Sequence, residues 1–124
     1  MSYRIFLVED HPVMRDAYAM LLDIEPDLEL SGVAESAEAF LDVLAETECD
    51  LLVTDLSLPG MDGIQLLDRL REAWPGLPAI VISAHEEPSY QERARRAGAQ
   101  AYLTKRDLAT SLGPAVREVL ARAA

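Results

Sequence analysis

Five short apolar runs alternate with amphipathic stretches along this chain, and that alternation limits the fold more than any single residue does. The runs are residues 5–8, 28–34, 51–54, 79–83 and 101–103. Short runs rich in Val, Ile and Leu suit strands that are buried on both faces. The stretches between them carry helical spacing. Val13, Ala17, Met20, Leu21 and Ile24 draw one apolar stripe, Ala37, Phe40, Leu41 and Leu44 a second, and Ile64, Leu67, Leu70 and Trp74 a third.

Helix punctuation agrees with this reading. Pro12 fits the first turn of the first helix, where no backbone donor is missed. Pro26 ends that helix, Ser36 caps the second, and Asp62-Gly63 opens the third, which Trp74-Pro75-Gly76 closes. Gly98 stands where the fourth helix needs a left-handed residue to end. Gly113-Pro114 would break a long last helix, so that helix is predicted to begin near Thr110 or Ser111, with Pro114 in its first turn. The βαβαβαβαβα order with short connections predicts an α/β fold: one parallel sheet, right-handed crossovers, helices on both faces.

Composition narrows the function. At 124 residues, half of them hydrophobic, the chain fits a single domain over 1–124 with a real core. Eleven basic against 22 acidic residues give 11 − 22 = −11, a poor direct ligand for nucleic acid or an anionic membrane. One cysteine, Cys49, excludes an intrachain disulfide framework and any multi-cysteine metal site, and reads as a small, buried or partly buried apolar residue near the third strand. No apolar run approaches the roughly 20 residues of a membrane span, and the one near the amino terminus is too short for a signal peptide. A reduced cytoplasmic setting is the expectation.

Ligands of such sheets bind beyond the carboxyl ends of the strands, at the switch point of the topology. Those ends carry Glu9 and Asp10, Asp55, Ser83 and Lys105. Each alone has an ordinary reading as a helix cap, a strand-end hydroxyl or a solvated lysine. Together they have one economical explanation. Three carboxylates in a half-buried cleft repel one another, and a divalent cation relieves this. Magnesium fits, because it takes oxygen ligands and no His or Cys is placed to favour zinc. A carboxylate such as Asp55 can act as a nucleophile and form an aspartyl phosphate, given metal, equatorial donors and in-line attack. Asp10 would supply metal binding, Lys105 a mobile cation and Ser83 a hydroxyl. His11 is expected at the rim of this site and His85 on the loop before the fourth helix.

Val8-Glu9-Asp10, Val53-Thr54-Asp55-Leu56 followed by Pro59-Gly60-Met61-Asp62-Gly63, Ser83-Ala84, and Tyr102-Leu103-Thr104-Lys105 resemble the receiver domain of two-component response regulators. The likeness runs from Arg4 to about Leu120. Glu9 to Arg15 and Gly98-Ala99 are most similar to the NarL/FixJ-type subgroup. The resemblance implies a flavodoxin-like (βα)5 three-layer sandwich with strand order 2-1-3-4-5. It implies Asp55 as phosphoacceptor for a sensor histidine kinase, and magnesium held by Asp10, Asp55 and the backbone carbonyl of Ser57, with Glu9 helping through water. Lys105 would pair with the phosphoryl group, Ser83 would swing toward it, and Tyr102 would follow inward, changing the surface of helix 4, strand 5 and helix 5.

The resemblance also implies a switch rather than a turnover enzyme. Its output would be transcription regulation through a DNA-binding domain that this chain does not contain, with a second receiver or that output domain as partner. A stand-alone receiver working by protein contact is the alternative. Where many receivers have proline after the lysine, Arg106 stands here, so a trans bond is expected, since a cis bond there costs about 2.5–4 kcal/mol. Helix 4, with Tyr90, Arg93, Arg95 and Arg96, is locally basic and could meet an acidic partner. Three rivals are weaker. A haloacid-dehalogenase-like phosphatase usually has a second acid two residues past its nucleophile, where Ser57 stands. A flavin or nucleotide carrier needs a Gly-, Ser- or Thr-rich loop where Glu9-Asp10-His11-Pro12 lies. A pure interaction module with a degenerate site would not need every chemical position filled.

Overall fold

All five apolar runs are strands of one parallel sheet in the computed structural model, which describes residues 2–123. In chain order the elements are β1 (Tyr3–Val8), α1 (Pro12–Asp23), β2 (Leu28–Ala34), α2 (Ala37–Leu44), β3 (Leu51–Asp55), α3 (Gly63–Ala73), β4 (Ala79–Ser83), α4 (Pro88–Ala97), β5 (Ala101–Thr104) and α5 (Leu108–Ala123), with a 3-10 turn at Lys105–Asp107. The sheet order is β2-β1-β3-β4-β5, with every pairing parallel. This is the flavodoxin-like sandwich that the resemblance implies. β1 and β3 are central neighbours, so their carboxyl ends bring Glu9, Asp10 and Asp55 to one place.

Alternation along the strands builds two cores. Phe6, Val8, Leu52 and Val81 face α2, α3 and α4, where Phe40, Leu44, Leu66, Leu67 and Leu70 cover them. Ile5, Leu7, Leu51, Val53, Ile80 and Ile82 face α1 and α5, where Tyr18, Leu22, Leu112 and Val116 cover them. The caps fall where predicted. The Ser36 hydroxyl accepts from Ala39 N–H at 3.0 Å, Asp62 and Gln65 form a reciprocal capping box, and Gly98 ends α4 at φ 111°. Cys49 is partly buried, as expected.

Three readings are corrected. The stripe assigned to the inner face of α1 lies mostly outside: Val13 is 68 % exposed, Met20 69 % and Ile24 73 %. The buried residues are Tyr18 and Leu22, with Met14 and Leu21 half-buried. α1 is apolar on both sides, so periodicity alone does not choose between them, whereas Asp16 and Asp23 mark the outer face. Trp74 also lies outside its stripe. It is the C-terminal cap of α3 and is 41 % exposed, and Leu66 takes the inner position.

The last helix begins at Leu108 rather than near Thr110, and Pro114 sits inside it. Leu108, Leu112, Val116, Val119 and Leu120 form a buried stripe. At about 1.5–3 kcal/mol each, that burial outweighs the ~3 kcal/mol cost of a mid-helix proline. Pro114 and Thr110, whose carbonyl the proline leaves unbonded, both face water.

Candidate functional site

The β1 ladder continues one residue past the strand, with Glu9 N–H donating to the Ala34 carbonyl at 3.0 Å. That turns the Glu9 side chain into the molecule, where it is 1 % exposed, and leaves Asp10 at the surface. Arg15 reaches back from α1 and donates to the Glu9 carbonyl at 3.0 Å, and His11 N–H donates to Glu9 Oε2 at 3.2 Å. His11 is the exposed N-cap of α1, at the rim as expected.

Asp55 ends β3 and is 3 % exposed. Its Oδ1 accepts from Ser57 N–H at 3.0 Å. The loop after it is folded back tightly: Gly63 N–H donates to the Leu56 carbonyl at 2.9 Å, and a Cβ on Gly63 would lie 2.5 Å from the Asp55 carbonyl oxygen. A side chain there would push the β3–α3 loop off the aspartate, which is why glycine opens this helix.

Lys105, at the end of β5, closes the hollow. Its Nζ lies 2.7 Å from Asp55 Oδ2 and 3.4 Å from Glu9 Oε1. Burial alone would lower the lysine's pKa, but the hydrogen bond and charge of Asp55, with the charge of Glu9, raise it overall. No cis peptide bond occurs among the described residues, so the bond to Arg106 is trans, as expected.

Glu9, Asp10 and Asp55 each place a carboxylate oxygen within 4.8 Å of the other two. Fully ionised, three acids and one ammonium sum to −2. Two consequences follow from that excess of negative charge. Burial, then the Asp55 carboxylate, push the Glu9 carboxyl up to about 7. Glu9 Oε1 is shielded from water without a hydrogen-bond partner in bonding geometry. A buried unpaired acceptor beside an exposed acid and an excess of negative charge is the donor set a hard divalent cation satisfies, so these residues fit magnesium.

Ser83 ends β4, fully buried, one residue past Ile82, the partner of Asp55 in the ladder. Its Oγ accepts from His85 N–H at 2.9 Å. Tyr102 of β5, the ladder partner of Val81, is half-buried and donates from its hydroxyl to the His85 carbonyl at 2.7 Å. The His85 ring stacks on Tyr90 at 4.1 Å. The loop before α4 thus links Ser83 to Tyr102 through one residue's backbone, a connection that residue types alone did not reveal. Arg95 and Arg96 share the single carboxylate of Glu92 and Arg93 lies over the Tyr90 ring, so α4 keeps a net positive charge. Sequence reasoning also passed over Tyr18. A polar-tipped aromatic amid apolar α1 neighbours was the available signal.

Three comparisons bear on this geometry. Residues 5–116 match the family of response regulator receiver domains. The transcriptional regulatory protein UhpA of Salmonella typhimurium is 34 % identical over 115 residues, 93 % of this chain and 57 % of UhpA. The nitrate/nitrite response regulator protein NarL of Escherichia coli is 33 % identical over 101 residues, 82 % of this chain and 47 % of NarL. The chain therefore spans about half the length of these relatives. A crystal structure of a two-component response regulator of the LuxR family from Aurantimonas sp. superposes with a TM-score of 0.93 at 30 % identity, covering 98 % of this chain and 87 % of that one.

Proposed function

Because this chain belongs to the response regulator receiver domain family, we propose that it is a phosphorylation switch in which Asp55 accepts a phosphoryl group from a sensor histidine kinase. The observation that carries this reading is the Lys105 ammonium, 2.7 Å from a buried Asp55 that two further acids surround. An Asp55 carboxylate oxygen attacks phosphorus in line and displaces the kinase's imidazole nitrogen, and the product is an acyl phosphate.

Asp10, Asp55 and the Ser57 carbonyl, with Glu9 through water, would hold magnesium. Bound there, the ion would neutralise charge on the incoming phosphoryl group. Lys105 transfers its hydrogen bond from the carboxylate to a phosphoryl oxygen. Ser83 turns its hydroxyl toward the same group and gives up His85 N–H. That loosens the loop whose carbonyl holds Tyr102, and the ring moves inward. Shifting a population from 1:99 to 99:1 takes about 5.5 kcal/mol. Two or three charge-assisted hydrogen bonds at about 1.5–3 kcal/mol each supply that.

The surface that changes is formed by α4, β5 and α5. Its partner is a second receiver or an output domain. The relatives named as transcriptional regulators support control of transcription as the output, through a DNA-binding domain. The chain acts in the cytoplasm, assists its own phosphorylation, and is not a turnover enzyme.

Magnesium and a small phosphoryl donor should add one phosphate, mapped by peptide mass spectrometry to the fragment containing Asp55. Phosphate on another fragment contradicts the assignment. In Lys105→Ala, magnesium should still bind while the Tyr102 environment no longer responds to phosphorylation. A normal tyrosine response there contradicts the role given to Lys105.

A further inference from the structure

Glu38 is an exposed acid in the first turn of α2, and the switch described above does not use it. Its helix holds it firmly. Ser36 caps α2, Ala37 and Phe40 are fully buried, and the Phe40 ring lies 4.7 Å from that of Phe6 in β1. The first turn of a helix also favours a negative charge. From there the carboxylate reaches a distant part of the chain. Glu38 Oε2 accepts from Met61 N–H at 3.1 Å, 23 residues away. That N–H, with the N–H of Glu38 itself, holds the carboxyl below its usual range, so the acceptor is ionised at neutral pH.

Met61 belongs to the loop that joins Asp55 to α3. Both feet of this loop are fastened. Leu56 N–H donates to the Ile82 carbonyl of β4 at 2.9 Å, and Gly63 N–H to the Leu56 carbonyl at 2.9 Å. Leu58 and Met61 rest against the core. Over Leu58–Met61, Glu38 makes the one hydrogen bond from another element among the described residues. The approach is close enough to dictate a residue. Gly60 has φ 72°, and a Cβ there would lie 2.6 Å from Glu38 Oε2. Glycine meets both demands, the left-handed backbone and the carboxylate beside it.

The same loop carries the Ser57 carbonyl, the one backbone group in the magnesium set proposed above. A side-chain ligand can turn to meet an ion, whereas a carbonyl goes where its loop goes. Magnesium demands near-ideal octahedral geometry, so a loop free to drift loses affinity for it. Calcium accepts irregular, flexible coordination and tolerates the drift.

We infer that Glu38 is a positioning residue for the Ser57 carbonyl: from a rigid α2 it pins the crest of the β3–α3 loop and so fits the site to magnesium over a larger cation. The inference rests on the assignment of magnesium to Asp10, Asp55 and the Ser57 carbonyl. Glu38 itself touches neither the ion nor the phosphoryl group, and it acts through the Met61 backbone.

Glu38→Ala removes the acceptor. Glu38→Gln removes the charge and keeps an oxygen that can accept from Met61 N–H. The test is NMR titration of the wild type and both variants with magnesium and with calcium, with Asp10→Asn as the control for the site. Glu38→Ala should weaken magnesium binding about 3- to 10-fold and calcium binding less than about 2-fold. Glu38→Gln should stay within about 2-fold of the wild type for both ions. The two ions carry the same charge, so a lost long-range attraction or a partly unfolded variant weakens both alike. Equal weakening of magnesium and calcium therefore overturns the inference, as does a Glu38→Gln variant as poor as Glu38→Ala. A wild type that takes up no magnesium, or an Asp10→Asn variant that binds it as the wild type does, overturns the magnesium assignment and the inference with it. Magnesium lost in Asp10→Asn but bound normally by Glu38→Ala overturns the inference alone.

Discussion

Two ion clusters in this molecule have similar parts and opposite character. Near the opposite edge of the sheet, Arg117 of α5 grips Asp27 with two bonds of 2.9 Å and also bonds Glu25. At the carboxyl edge, Lys105 meets Asp55 and Glu9. Each is one cation between two acids. Arg117 and its partners are half-exposed, and the arginine's hydrogen bond holds the Asp27 carboxyl below its usual range. Glu9 and Asp55 are closed to water, and there burial raises the Glu9 carboxyl to about 7. Attraction settles the open cluster. Desolvation and crowding leave the closed one with unmet demand for positive charge. Burial is what turns a set of ion pairs into a site.

Removing the cation from each cluster should separate them most. Lys105→Ala leaves buried acids without a counterion, and unfolding stability without magnesium at pH 7.5 should fall by about 3 kcal/mol. Urea titration reads this, and added magnesium should restore much of the loss. Removing an acid should have the opposite sign. Glu9→Gln relieves crowding and should raise apo stability at pH 7.5 by about 2 kcal/mol, while calorimetry shows magnesium binding at least about tenfold weaker.

The pH dependence sharpens the contrast. A carboxyl whose folded pKa lies above its unfolded value binds its proton more tightly when folded. The contribution of Glu9 is therefore complete below about pH 4.5 and is lost as pH rises to about 7. Without magnesium, wild-type stability should decline across that window by on the order of 3 kcal/mol relative to Glu9→Gln. The smaller effect belongs to the half-exposed cluster. Arg117→Ala should lower the urea midpoint less than Lys105→Ala does, because Asp27 and Glu25 regain water when the arginine is lost. A large drop there would erase the distinction.

The closed cluster was legible in the sequence because strand ends are. Short apolar runs at β1, β3, β4 and β5 place the residues that follow them at one edge, and parallel topology does the rest. Helix faces were harder to read. On α1, Val13, Met20 and Ile24 satisfy the helical period as well as Tyr18 and Leu22 do, and only the acids Asp16 and Asp23 break the tie. In α5, the local rule about Pro114 yielded to the burial of Leu108 and Leu112, which depends on a sheet that local reasoning does not contain. The link from Ser83 through the His85 backbone to Tyr102 was hidden because backbone groups have no signature in residue identity.

The most direct test is the intact mass of wild type and Asp55→Asn after incubation with magnesium and a small phosphoryl donor. One added phosphate on the wild type and none on the variant is the predicted result. Equal labelling of the two proteins would contradict the account.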